Sequence, residues 1–143
     1  MKYKHIIPLV LVGLLVLWFV LQPTTDTKQV NLNGTVVQVE VADTQEERIQ
    51  GLSGREKLGE NTGMLFVFER EGTWGIWMKE MRFSIDILWA DEQGRVVTIE
   101  NSISPETYPK VFYSTAPARS VLELPAGFAD THGIAEGMQV VLH

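Results

Sequence analysis

Four charged side chains, Arg55, Lys79, Asp86 and Glu123, stand inside segments that are otherwise apolar. Two cations and two carboxylates brought together would make a polar pocket, and Trp77 would give it an indole face for stacking. Alternation along Trp74–Lys79 puts Trp77 and Lys79 on one face and Trp74, Ile76 and Met78 on the other. In Ile85–Trp89 the isoleucines share a face with Trp89, which leaves Asp86 with Leu88. Glu123 interrupts Val121–Leu124 in the same way, and Arg55 follows the flexible turn Gly51-Leu52-Ser53-Gly54. Pro125 suits the first position of a helix that Gly133 would close, so the turn through Pro125 and Gly127 would offer free backbone N–H groups to an anion. These seven residues, Arg55, Trp77, Lys79, Asp86, Glu123, Pro125 and Gly127, form the candidate ligand-binding set.

The same charges have a plainer use. Buried charges must be paired or they cost several kcal/mol, so an ion network pinning strands together would look identical in sequence. Asp86 and Glu123 could also act as an acid–base pair on a glycan, provided they stand about 5–10 Å apart in an open cleft. Met78 and Met81 flank Lys79-Glu80 and could hold Cu(I) through soft thioethers, but with no histidine or cysteine nearby core packing is the favoured reading. No G-x-S-x-G, H-E-x-x-H, G-x-x-x-x-G-K-[ST] or G-x-G-x-x-G occurs. The three histidines, His5, His132 and His143, lack ligand spacing, and the chain has no cysteine for a thiolate, disulfide or lipid anchor. No catalytic residue, metal or cofactor is therefore assigned, and an enzyme is the less favoured class.

The elements that must position these residues are short. The 143 residues allow one domain and an appendage. Lys2 and Lys4 precede an apolar run, Ile6–Leu21, nearly long enough to span a bilayer, and the run ends without the small residues of a cleavage site. An uncleaved anchor over residues 1–22 is expected, with its basic side cytoplasmic and the rest of the chain extracytoplasmic, periplasmic or at the cell surface. A linker, 23–28, leads to a single domain, 29–143. Asn33-Gly34 between alternating apolar runs predicts a hairpin with a type I′ turn. Thr44-Gln45-Glu46-Glu47 reads as a capping box opening a short helix. Strands are expected around Met64–Phe68, Thr73–Lys79, Ser84–Ala90, Arg95–Glu100, Ser120–Leu124 and Met138–Leu142. Residues 101–118, with Pro105, Pro109 and Pro117 among Tyr108, Phe112 and Tyr113, read as a long loop roofing the site. About seven strands and two short helices predict a mainly β fold, a small barrel or sandwich.

Gly51-Leu52-Ser53-Gly54-Arg55, Asn61–Phe68, Ile76-Trp77-Met78-Lys79, Ile85–Leu88 and Leu122–Gly127 come in the order of the domain-of-unknown-function family 192, which the chain resembles over about residues 30–143. The resemblance implies a compact β-rich fold, often exported or membrane-attached, and carries no activity. Where members commonly have Asn and Thr after Trp-Met-Lys, this chain has Glu80 and Met81. From Lys28 onward ten Lys and Arg stand against seventeen Asp and Glu, a net charge of −7 that disfavours nucleic acid. The leading expectation is a membrane-tethered, non-enzymatic module binding a small polar or anionic ligand or an envelope component. The alternatives are a carboxylate-based glycan enzyme and a structural or protein-interaction domain.

Overall fold

A computed structural model describes Thr27–Leu142. The expected anchor, 1–22, lies outside the described residues. No helix among the described residues is long and apolar enough to cross a membrane.

The hairpin forms where Asn33 and Gly34, with φ of 50° and 88°, turn β1 (Thr27–Leu32) into β2 (Thr35–Ala42). Val30 pairs with Val37 across it, and both are fully buried. After β2 the capping box closes: Thr44 accepts the Glu47 N–H while the Glu47 carboxylate accepts the Thr44 N–H, and α1 (Gln45–Gln50) starts. The chain then returns through β3 (Thr62–Gly72), which runs parallel to β2, with Glu40 beside Met64 and Ala42 beside Phe66. Next come β4 (Gly75–Trp77), β5 (Ile85–Ala90), β6 (Val96–Ile103), a 3₁₀ turn (Pro105–Thr107), β7 (Val111–Tyr113), β8 (Ala118–Pro125), α2 (Phe128–Thr131) and β9 (Val140–Leu142).

Seven strands make one sheet in the order β6-β5-β8-β3-β2-β1-β9, and β4 pairs with β7 in a separate ribbon. The large sheet curls into a half-barrel. Its two edges meet at one end, where Val96 N–H donates to Met138 O at 2.8 Å and Gly137 N–H donates to Val96 O at 2.8 Å. One core fills the inside of the curl, with residues from every strand of the sheet and Phe128 and Ala129 of α2; Leu65, Leu88, Leu122 and Leu124 are among its most buried members. A second core lies on the outer face, where Met64, Phe66, Ile87, Trp89 and Val121 are covered by Ile76 of β4, Phe112 of β7, and Leu52 and Met78 of the loops. Two cores on two faces explain why β5 is buried at every position, Ile85 through Ala90.

Two expectations change here. Residues 101–118 are no structureless loop: β6 runs on to Ile103, the 3₁₀ turn follows, and β7 pairs Phe112 with Ile76. The three prolines masked that short strand. The second helix begins at Phe128, not Pro125, because β8 continues through Pro125 in register with Ile85. Gly133, with φ of 61°, does follow the C-cap residue His132.

Candidate functional site

Glu123 is the residue around which a site can be built. It lies on the outer face of β8, opposite Met64 of β3 and Ile87 of β5, among apolar side chains. It is 5% exposed, and among the described residues no group reaches its Oε2 with a hydrogen bond. Burial pushes its carboxyl from the usual 4.5 up to about 8, against the pull of the Arg55 guanidinium. At neutral pH it therefore keeps its proton, which makes the carboxyl a hydrogen-bond donor.

The carboxyl borders a cavity of about 50 Å³ under the turn that links α1 to the 51–55 loop. Gly51 and Leu52 line it, with Phe66 of β3, Ile76 and Trp77 of β4, and Met81. The 51–55 loop is fixed by Ser53, whose Oγ donates to Lys79 O at 2.9 Å, and by Gly54 N–H donating to Glu80 O at 2.9 Å. Arg55, held by that loop, forks onto Glu40 of β2 with Nη1 and Nη2 at 2.5 and 2.7 Å from the two carboxylate oxygens. Those bonds hold Glu40 below the usual carboxylate range. On the opposite wall Arg48 of α1 donates to Val67 O at 2.8 Å and to Asp43 O, and lies over the Phe68 ring at 5.2 Å. Trp77 remains 48% exposed at the rim, with its ring edge-on to Tyr108 at 6.5 Å.

Of the seven residues singled out in the sequence, Glu123 and Trp77 meet at this cavity, and Arg55 acts on Glu123 from beside it. The others lie elsewhere. The Lys79 ammonium is half exposed and 4.0 Å from Glu80, and only its backbone carbonyl serves the loop. Asp86 points to the other face of the sheet, since Ile87, not Asp86, is the partner of Glu123. Its Oδ1 accepts the N–H groups of Ser102 and Gly127 at 2.8 and 3.0 Å, and its Oδ2 accepts that of Ala129 at 2.8 Å. The expected anion site around Pro125 and Gly127 is thus filled by the chain's own carboxylate. Pro125 and Gly127 border a separate hollow shared with Asn61 and His132. An acid–base pair of Asp86 and Glu123 in one cleft is ruled out by this arrangement, because side chains on opposite faces of one sheet cannot serve one substrate atom. Met78 is 1% exposed in the outer core, and among the described residues no group of His, Cys, Asp or Glu could hold a metal.

Two members of the site, Glu40 and Arg48, were missed in the sequence. Glu40 carried a signal, since it falls on the face of β2 opposite Val37, Val39 and Val41. Its partner did not, because the parallel pairing of β2 with β3 that brings it toward Glu123 leaves no local trace.

Among curated proteins none is significantly similar to this chain. The fold resembles the crystal structure of a Sinorhizobium meliloti 1021 protein described provisionally as a transcription regulator, with a TM-score of 0.79 and 28% identity over 85% of this chain and 97% of that one. It also resembles a protein of unknown function from Novosphingobium aromaticivorans DSM 12444, with a TM-score of 0.75 and 28% identity over 82% and 84% of the two chains. Residues 28–142 match the DUF192 family, described as Uncharacterized ACR, and the chain belongs to that family.

Proposed function

We propose that the domain is a non-enzymatic binding module for a small polar or anionic ligand, received in the cavity under Trp77. One observation carries the reading: Glu123, a buried residue whose Oε2 has no hydrogen-bond partner among the described residues, borders a cavity. A buried polar atom left without a partner costs about 1–3 kcal/mol, and a ligand that supplies the partner recovers that cost. Among the described residues no histidine lines the Glu123 cavity, and the Ser53 hydroxyl beside it donates to the Lys79 carbonyl, which favours binding over chemistry. Ten cations against seventeen carboxylates from Lys28 onward oppose binding to a nucleic-acid backbone.

The apolar run Ile6–Leu21 behind Lys2 and Lys4 supports a tether that holds this module on the extracytoplasmic side of a membrane. Fractionation tests it: the full chain should sediment with membranes, and its domain should be cut by protease added outside the cell.

Binding is tested by thermal unfolding of the full chain against organic acids, sugars, phosphates and metal ions, with Trp77→Ala beside it. A ligand at a hundred times its Kd adds about 2.7 kcal/mol, which is several degrees in a domain of this size. A shift in the parent that Trp77→Ala loses supports the pocket. A panel without any shift removes it and leaves the exposed aromatics Trp77, Tyr108 and Tyr113 as a protein-contact surface, the second reading.

A further inference from the structure

We propose that the groove between α1 and β4 takes a ligand ending in a hydrogen-bond acceptor, a carboxylate or an amide carbonyl, on an unbranched apolar body. The acceptor bonds to the Glu123 carboxyl. This rests on the binding reading above and names its ligand class.

Size sets the first limit. One water needs about 10–15 Å³ of such space, so the cavity of about 50 Å³ beside Glu123 admits about three to five atoms of that size. That suits a carboxylate or amide group and excludes a sugar ring. Beside the cavity, and sharing Ile49, Phe66, Ile76 and Trp77 with it, lies a groove of about 230 Å³ lined also by Phe68. Ile49 and Trp77 are 62% and 48% exposed, so the groove has apolar walls that would pack a methylene chain and would leave hydroxyl groups unpartnered.

Charge sets the second limit. Around Glu123, β3 contributes Met64, β5 contributes Ile87 and β4 contributes Ile76, none of them ionisable. The charged neighbours are Arg55 of the 51–55 loop, Glu40 of β2 and Arg48 of α1, two guanidinium groups against one carboxylate. With Glu123 neutral, the surroundings carry one net positive charge, which attracts a carboxylate, tolerates an amide and repels an ammonium. Glu123 offers a proton, so the ligand must offer a lone pair.

Three probes with the same chain decide the matter: pentanoate, pentanamide and pentylammonium, titrated calorimetrically into the full chain at pH 6.5 and pH 9. Thermal unfolding with the wider panel runs in parallel. Pentanoate and pentanamide should bind at pH 6.5 and pentylammonium should not. Pentanoate affinity should fall about tenfold by pH 9, as the Glu123 proton is lost. Glu123→Gln keeps an N–H donor, so it should retain pentanamide without the pH step, and Glu123→Leu should lose both ligands. Pentylammonium binding that tightens with pH would overturn the ligand class and leave the pocket standing. So would failure of all three probes while another ligand gives a shift that Glu123→Leu abolishes. Acid binding unchanged in Glu123→Leu places the site elsewhere and overturns the proposal. No Glu123-dependent signal with any ligand overturns both this class and the pocket.

Discussion

Glu123 and Asp86 are two buried carboxyls with opposite solutions to the same problem. Asp86 meets three backbone N–H groups and ties the end of β6 and the start of α2 to β5. One of those donors belongs to Ser102, a non-glycine residue at φ 52°, so the carboxylate also holds a backbone conformation of raised energy. Asp86→Ala leaves three buried donors without an acceptor and is expected to cost about 3 kcal/mol or more, read by chemical denaturation. Glu123 has apolar neighbours instead, and keeps its proton up to about pH 8. The folded state then holds a proton that the unfolded chain releases above about 4.5. Stability should therefore fall as pH rises from about 4.5 to about 8, by up to about 1.4 kcal/mol per pH unit from this group. Glu123→Gln should flatten that slope in melting curves taken across the range. Glu40 works with the other sign: Arg55 lowers its pKa, so its contribution is present above the usual carboxylate range and is lost as acid protonates it.

At the scale of elements, local chemistry and close approach act separately. The α1 capping box is local, and Thr44→Ala should cost about 1 kcal/mol, since it removes one side-chain acceptor from the first turn. Gly63 is different. A Cβ there would lie 2.6 Å from the carbonyl oxygen of Glu123 and 3.0 Å from the Leu124 side chain. Gly63→Ala must therefore push β3 away from β8, and the expected loss is about 1–3 kcal/mol from overpacking. The move would also shift Glu123, so the Glu123-dependent pH slope should change with it. An unchanged slope would show that β8 yields elsewhere. Gly75 meets a similar limit in the ribbon, where a Cβ would come within 2.7 Å of Tyr113 and Val111.

Over the whole molecule, the two cores give the sheet unequal jobs on its two faces. The inner core closes the half-barrel, and the hydrogen bonds of Val96 with Gly137 and Met138 join its edges. The outer core carries the cavity, because the ribbon of β4 and β7 does not cover the sheet as far as α1. Deleting residues 137–143 should expose the edges of β1 and β6 and remove Val140 from the inner core. Amide exchange at Val96 should then accelerate sharply, and the unfolding transition should broaden. The outer cavity is expected to survive that deletion less altered than the inner core.

Much of this was legible in the residues alone. The hairpin at Asn33-Gly34, the capping box at Thr44, the two faces of β5 and the exposed side of Trp77 each depend on neighbours within a few positions, where local geometry leaves few choices. Membership of the DUF192 family and its mainly β fold follow from motifs in order along the chain. Which charged residues meet was not local. Asp86 and Glu123 looked alike in sequence, each a carboxyl in an apolar strand. Pairing in the sheet then set Glu123 beside Met64 and Ile87 on the outer face and turned Asp86 toward Gly127 and Ala129 on the inner one. A one-residue change of register between β5 and β8 would bring both carboxyls to one face. Register is fixed by contacts between strands far apart in the chain, so tertiary structure alone decided which carboxyl was satisfied and which was left facing a cavity.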